Sequence, residues 1–355
     1  MEKIEAIDLF CGVGGLTSGL RTSGVRVVAG IDVAGACKFP FEANHPKTRF
    51  IEQDVALVTG VQLQALWSGA AVRLLAGCAP CQPFSSYTRG RSEDHGKWGM
   101  LDQFGRLVQE ALPELVTMEN VPGLQLKKPF LSFLQTLASC GYQVAYGVLN
   151  AADFGVPQHR KRLVLLASRL GPVQLPTPTH AGKANWVSVK DAVGKLPRVQ
   201  QGCTDSHDAM HRAASLSALN LQRICASRPG GTWRDWPAEL VAACHKRPSG
   251  KHSAGIYGRM EWGKPAPTMT TLCNGYGNGR FGHPEQDRAI TLREAAIFQS
   301  FPSGYIFTQP GTAVNTKTVA RLIGNAVPPK LAEAVGRAIV CTVVKGWLGA
   351  SSFGC

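Results

Sequence analysis

Ile4-Glu5-Ala6-Ile7-Asp8-Leu9-Phe10-Cys11-Gly12-Val13-Gly14-Gly15-Leu16 is the stretch whose reading decides the fold. Residues 4–10 are mostly apolar and predict a buried strand. The glycines predict a tight turn, and Leu16 to Leu20 starts a helical pattern. Strand, glycine-rich turn and helix is the cofactor-binding arrangement of doubly wound α/β sheets. Glycine lets the backbone approach a ligand closely, and a helix start offers unpaired N–H groups. The pattern is not G-x-G-x-x-G, which argues against a nicotinamide dinucleotide.

Further strands follow. Arg26 to Val33 predicts the second, with Asp32 at its end, placed to accept from ribose hydroxyls or to cap the next helix. Phe50-Ile51 is a short third strand, and Asp54 after it suits an adenine amine or a helix cap. Val72 to Ala76 leads into Gly77-Cys78-Ala79-Pro80-Cys81-Gln82-Pro83-Phe84-Ser85. Pro80 and Pro83 stiffen the backbone around Cys81, so its thiol reads as a presented nucleophile. The Cys78–Cys81 spacing also admits a redox dithiol, half of a zinc site, or structural thiols. No second pair at similar spacing supports zinc, since Cys203, Cys225, Cys244 and Cys273 are isolated. The polar loop from Ser85 to Gly99 reads equally as a lid or as plain surface.

Leu101 to Leu112 predicts an amphipathic helix, and Leu115 to Met118 a fifth strand ending at Glu119-Asn120-Val121. A carboxyl there shares the crevice of Cys81 and suits acid–base work. Phe130 to Ser139 predicts a helix, and Tyr142 to Asn150 and Leu163 to Ala167 predict strands. Between the last two, Gln158-His159-Arg160-Lys161-Arg162 alternates, so Arg160 and Arg162 are expected to point together. They suit anion recognition, or are solvated charge.

The rhythm breaks at Gly171. Residues 171–287 are rich in proline and glycine, with Trp233, Trp236, Tyr257 and Trp262 interleaved with Arg228, Arg234, Arg259 and Arg280. Their histidines form no metal spacing, and no metal site is expected. Order returns with a capped helix from Arg288 to about Phe298, then Gly324-Asn325-Ala326-Val327-Pro328-Pro329 and an apolar helix to about Val344.

The 355 residues, 44% hydrophobic, suit two domains or one with an insertion, and no apolar run spans a bilayer. Eleven cysteines without a signal peptide indicate free thiols in a reducing cytoplasm. The net charge of +14 points to a polyanion. The excess sits late: residues 1–170 carry 17 Lys and Arg against 14 Asp and Glu, whereas residues 288–355 carry 7 against 2.

With these residues laid out, the chain resembles the bacterial type of DNA (cytosine-5) methyltransferase over nearly its whole length. Asp8 to Gly15 resembles that family's S-adenosylmethionine loop, Pro80-Cys81-Gln82 its nucleophile motif, and Glu119-Asn120-Val121 its Glu-Asn-Val. Gln158-x-Arg160-x-Arg162 and Gly324-Asn325-x-Val327-Pro328 also match, in the family's order. Cys78 stands where a glycine is usual, Asp32 where glutamate is common, and Val33 where an aromatic often stacks.

The resemblance implies a doubly wound Rossmann-like methyltransferase sheet with a smaller, irregular target recognition domain. The catalytic domain is expected at 1–170 plus about 320–355, and target recognition at about 171–319. Implied catalytic residues are Cys81, Glu119, Arg160 and Arg162. Implied S-adenosylmethionine residues are Asp8, Phe10, Gly12, Val13, Gly14, Gly15, Leu16, Asp32, Val33, Asp54, Val55, Pro80, Asn325 and Val327. Implied DNA contacts are Ser85, Arg89, Arg91, Gln158, Arg228, Arg259 and Arg280. Cys81 is expected to add to carbon 6 of a flipped-out cytosine within a short specific sequence, and carbon 5 to take the methyl group. Double-stranded DNA is the expected partner of a cytoplasmic monomer, with room for a cognate restriction endonuclease acting separately and no membrane. Rival readings are an RNA cytosine-5 methyltransferase, a silent DNA-binding protein on this fold, and a thiol oxidoreductase.

Overall fold

The computed structural model describes residues 4–67, 69–80, 99–247 and 254–348. Two compact units emerge: Met1–Phe154 with Lys161–Thr179 and Ala326–Cys355, and Gly155–Arg160 with His180–Asn325.

The first unit is built on one sheet. Its strands are β1 (Ile4–Leu9), β2 (Arg26–Asp32), β3 (Arg49–Glu52), β4 (Val72–Gly77), β5 (Leu115–Asn120), β6 (Gln143–Asn150) and β7 (Lys161–Ser168). They lie in the order β3-β2-β1-β4-β5-β7-β6. β1 to β5 run parallel, and β7 is antiparallel to both β5 and β6. The chain steps outward from β1 to β3 and returns to β4, so β1 and β4 flank the switch point, where such sheets open a crevice beyond their carboxyl ends.

Alternation decides what each strand residue meets. Ile7 and Leu9 of β1 enter one apolar layer with Leu63, Phe104, Leu107 and Phe133. These four belong to helices α3 (Gly60–Leu66), α4 (Gly99–Ala111) and α5 (Lys128–Ser139), which follow α1 (Gly15–Thr22) and α2 (Lys38–Asn44). Ile4 and Ala6 enter the opposite layer with Leu16 and Leu20 of α1. That layer also holds Ala332, Val335 and Ile339. Covered on both faces, a parallel strand reads as a continuous apolar run.

In the second unit α6 (Val189–Val193), α7 (Ala218–Cys225), α8 (Ala243–Lys246), α9 (Leu292–Phe298) and α10 (Thr316–Asn325) are short. Among its described residues there is no sheet strand, only isolated bridges such as Arg259 with Gly282. Thr291 and Glu294 form a reciprocal capping box at the start of α9, as their spacing predicts. After α10 the chain re-enters the first unit with α11 (Pro329–Leu348), which packs on α1. A Cβ on Gly19 of α1 would overlap the Pro329 carbonyl and the Ala332 methyl, so only glycine lets these helices meet so closely. Among the described residues Cys11, Cys37 and Cys273 are buried free thiols, and Cys78 and Cys140 are half-buried ones.

Candidate active site

The glycine turn hangs from the end of β1. Phe10, Gly12 and Gly14 all take positive φ, at 57°, 53° and 87°. A left-handed phenylalanine is a costly conformation of the kind that clusters at ligand sites. Gly14 needs its freedom twice over, because a Cβ there would also stand 2.5 Å from Nε2 of His45. His45 accepts at Nδ1 from Arg21 Nη1, 2.9 Å away, and burial first, then Arg21, lowers its pKa to about 4. The ring beneath the turn is therefore neutral. No motif in the sequence singles out His45.

Two aspartates brace this turn. Asp8 in β1 accepts from the Thr17 N–H at 3.1 Å and the Thr17 hydroxyl at 2.7 Å, which satisfies one orphan donor in the first turn of α1. Its other oxygen, Oδ1, is buried with no hydrogen-bond partner among the described residues. Burial raises the Asp8 pKa to about 7 despite the two bonds from Thr17. Asp32 accepts from the Gly12 N–H at 2.9 Å and the Ala34 N–H at 2.8 Å. Beside it Val33 is 67% exposed, a large apolar surface turned to solvent. Among the described residues a Cβ on Gly12 would meet nothing within 4 Å, so the turn is open on that side.

The other expected cofactor residues divide. Val13, Leu16, Val55 and Val327 are buried apolar groups, and Gly15 packs against the Val327 carbonyl. Asp54 is exposed and caps a short turn by accepting from the Ala56 N–H at 2.9 Å. Pro80 and Asn325 are exposed, Asn325 as the last residue of α10 in the second unit.

Glu119, the expected acid–base group, is the last residue but one of β5. Glu119 pairs in register with Val164 of β7, and Arg162 lies two residues along β7 on the same side of the sheet. Arg162 Nε stands 3.0 Å from Glu119 Oε1. That contact is ionic without hydrogen-bond alignment, since Oε1 has no aligned donor among the described residues. The other oxygen, Oε2, accepts from Cys78 Sγ at 3.0 Å. Next in β5, Asn120 donates from Nδ2 to the Ala79 carbonyl at 3.0 Å and so pins the segment that leads to Cys81. A cavity of about 10 Å³ beside Glu119, room for one water, is lined by Leu16, Thr117, Val164, Val327 and Leu331. Cys81 itself lies outside the described residues, as do Ser85, Arg89, Arg91 and most of the expected lid.

Three expected site residues are engaged within the second unit. Arg160, expected to point with Arg162, sits in the second unit and donates to the Met269 carbonyl at 2.9 Å and the Gly324 carbonyl at 3.1 Å. Gln158, expected at DNA, is fully buried, giving to the Phe298 carbonyl and Gln299 and accepting from the Met269 N–H. Arg259, also expected at DNA, is 4% exposed and spends its donors on the carbonyls of Ile224, Ser227, His283 and Gln286 and on the Asp287 carboxylate. Each side chain serves local backbone that forms no sheet, and buried donors must find acceptors. Arg280 is half-buried on the Gly231 carbonyl, whereas Arg228 is exposed beside Asp235.

Known proteins match nearly the full length of the chain. The family profile for C-5 cytosine-specific DNA methylase matches residues 4–341. A Type II methylase of Herpetosiphon aurantiacus, M.HgiDII, is 49% identical over 336 residues, covering 94% of each chain. The Type II methyltransferase M1.HphI of Haemophilus parahaemolyticus is 32% identical, covering 95% of this chain and 87% of its own. Among solved structures, an Escherichia coli prophage protein described as a DNA modification methyltransferase superposes with a TM-score of 0.74 at 21% identity. That alignment covers 96% of this chain and 100% of that one, and it speaks to the fold alone.

Proposed function

The chain belongs to the C-5 cytosine-specific DNA methylase family and is a DNA (cytosine-5)-methyltransferase; from that premise we propose how its residues divide the work. The first unit binds S-adenosylmethionine and carries the chemistry, and the second recognises the target. Bound S-adenosylmethionine supplies a methyl group made electrophilic by its sulfonium. The turn fits such a ligand: among the described residues Gly12 is open on one side, and Asp32 keeps lone pairs for ribose hydroxyls. Val33 offers an apolar surface for the adenine, and the Asp32 carboxylate suits a cationic centre. Phe10, Val13, Gly14, Gly15, Leu16, Val55, Pro80 and Val327 shape the same crevice, with Asp54 at its edge.

Carbon 5 of cytosine is a weak nucleophile. In this reading the Cys81 thiolate adds to carbon 6, which raises electron density at carbon 5. Glu119 holds a proton at ring nitrogen 3 and stabilises charge as it develops there, while Arg162 fixes the carboxyl. Loss of the carbon 5 proton then releases the sulfur. The base must leave the duplex first, at a cost of a few kcal/mol. Arg228, exposed, with Ser85, Arg89 and Arg91, supplies backbone contacts to double-stranded DNA. The working unit is a cytoplasmic monomer, and the Type II names of both bacterial relatives support a separate cognate nuclease.

The observation that carries this assignment is the Glu119 carboxyl, clamped at the switch side of the sheet one residue from the Asn120 bond to the Cys81 segment. Bisulfite sequencing of plasmid DNA exposed to the protein should show new 5-methylcytosine at one short sequence. Cys81→Ala should abolish it while duplex binding persists, and Glu119→Gln should cut turnover by about a hundredfold or more. Near wild-type turnover of either variant rejects that residue's role.

A further inference from the structure

Glu119 can act on a ring only if its carboxyl is held still, and one of the groups holding it is Cys78. This half-buried thiol leaves the end of β4 and meets the carboxyl across 41 residues of sequence. Its backbone is fixed from both neighbouring strands. The Cys78 N–H donates to the Leu9 carbonyl of β1 at 3.4 Å, and the next residue, Ala79, is tied by Asn120 of β5. A side chain on so constrained a backbone has little freedom to wander.

We propose that Cys78 is a positioning residue for the methyl-transfer reaction: its S–H fixes Oε2 of Glu119 while Arg162 faces Oε1, and the two together set the plane of the carboxyl toward the cytosine ring. The inference rests on the role given to Glu119 above. Chemistry favours a donor here over a nucleophile or a redox thiol. A thiolate 3.0 Å from a carboxylate is opposed by like charge, so the proton stays on sulfur and points at the oxygen. The other groups around the carboxyl are Arg162 from β7, Asn120 beside it in β5, and the apolar Leu16 of α1 and Val327 and Leu331 at α11. No other charged side chain among the described residues contacts it.

The test is steady-state methyl transfer from tritiated S-adenosylmethionine to plasmid DNA, with Cys78→Ala, Cys78→Ser, Glu119→Gln and the double variant Cys78→Ala/Glu119→Gln. S–H is a weak donor, so Cys78→Ala should lower kcat about fivefold and leave KM for DNA unchanged. The carboxyl-dependent limb of its rate profile should move to higher pH, because the ionised form has lost a donor. Serine, nearly isosteric and a better donor, should restore both kcat and profile. In the Glu119→Gln background, Cys78→Ala should cost nothing further. The inference is overturned if Cys78→Ala keeps kcat within about twofold and a superimposable profile. Serine no better than alanine overturns it too, since volume rather than the hydrogen bond would then matter. If Glu119→Gln is inactive while Cys78→Ala is silent, only the role of Cys78 falls; if Glu119→Gln turns over normally, the role of Glu119 falls and this one with it.

Discussion

In the first unit β1 sends Ile7 and Leu9 into one apolar layer and Ile4 and Ala6 into the other, and every neighbouring strand repeats the division. In the second unit the most deeply buried side chains include Arg288, 1% exposed, forked onto both oxygens of Glu294 at 2.8 Å. Gln158 and Arg259 are likewise sunk among carbonyls, and the apolar cluster around Ile224, Tyr276 and Ala289 is small. Layered apolar packing is non-directional, so it tolerates change and leaves strand ends free for chemistry. Irregular backbone has no ladder to satisfy its polar groups, and borrows buried side chains instead.

The largest expected effect follows from that contrast. Arg288→Ala strands Glu294 in the interior with His283 3.8 Å away, and should cost about 3–5 kcal/mol. Urea unfolding followed by tryptophan fluorescence reads it, since Trp186, Trp233, Trp236 and Trp262 all lie in the second unit. Arg288→Met combined with Glu294→Leu should recover most of the loss, because the buried pair's attraction mainly offsets its desolvation. Arg198→Ala, which removes the exposed pair with Glu285, should leave the unfolding midpoint nearly unchanged. Equal costs for the buried and exposed arginines break the comparison.

A smaller effect probes the layered unit at its tightest point. Gly19→Ala forces a methyl against the Pro329 carbonyl and the Ala332 side chain, and should destabilise by about 1–3 kcal/mol in thermal unfolding. A neutral result means that α11 shifts freely, and the layer is then looser than its glycines imply.

The same contrast governs how much of the molecule is legible in its amino-acid sequence. Strands buried on both faces write themselves as apolar runs, so Val72 to Ala76 anticipates β4 to within one residue. Glu119 and the turn after Asp8 are legible because functional groups in such sheets sit where those runs stop. α3 escapes notice, although Thr59 and Gln62 carry the capping-box spacing, because Val61, Leu63 and Ala65 alternate with glutamines as they would in a strand. α10 carries only a single Asn315 cap, which accepts from the Thr318 N–H at 3.0 Å, and its Gly324 answers to the Thr270 carbonyl far away in sequence. Cys78 reaching Glu119 depends on β4 lying beside β5, which local pattern does not encode. Arg259 and Gln158 are hard to place from sequence for a related reason: composition counts donors, but only the fold says where they point.

The smallest expected effect is in pH, and it separates the units by sign. From about pH 5 to about pH 6.5 ordinary carboxylates are already ionised, so only strongly shifted groups contribute. Burial raises Asp8 to about 7, so the folded chain keeps a proton the unfolded chain has released, and stability falls as pH rises. Burial lowers His45 and His283 to about 4, so the unfolded chain takes up protons first, and stability rises with pH in the same window. Asp8 and His45 both belong to the first unit and oppose each other, whereas His283 stands in the second without such an opponent. Hydrogen exchange should therefore show protection in β1 nearly flat across the window while protection in α9 climbs. Asp8→Asn should tilt β1 upward, by at most about 1.4 kcal/mol per pH unit, and leave the slope in α9 alone. If β1 in that variant stays flat, Asp8 is ionised throughout, and the acid beneath the glycine turn is a fixed negative charge instead of a proton held by burial.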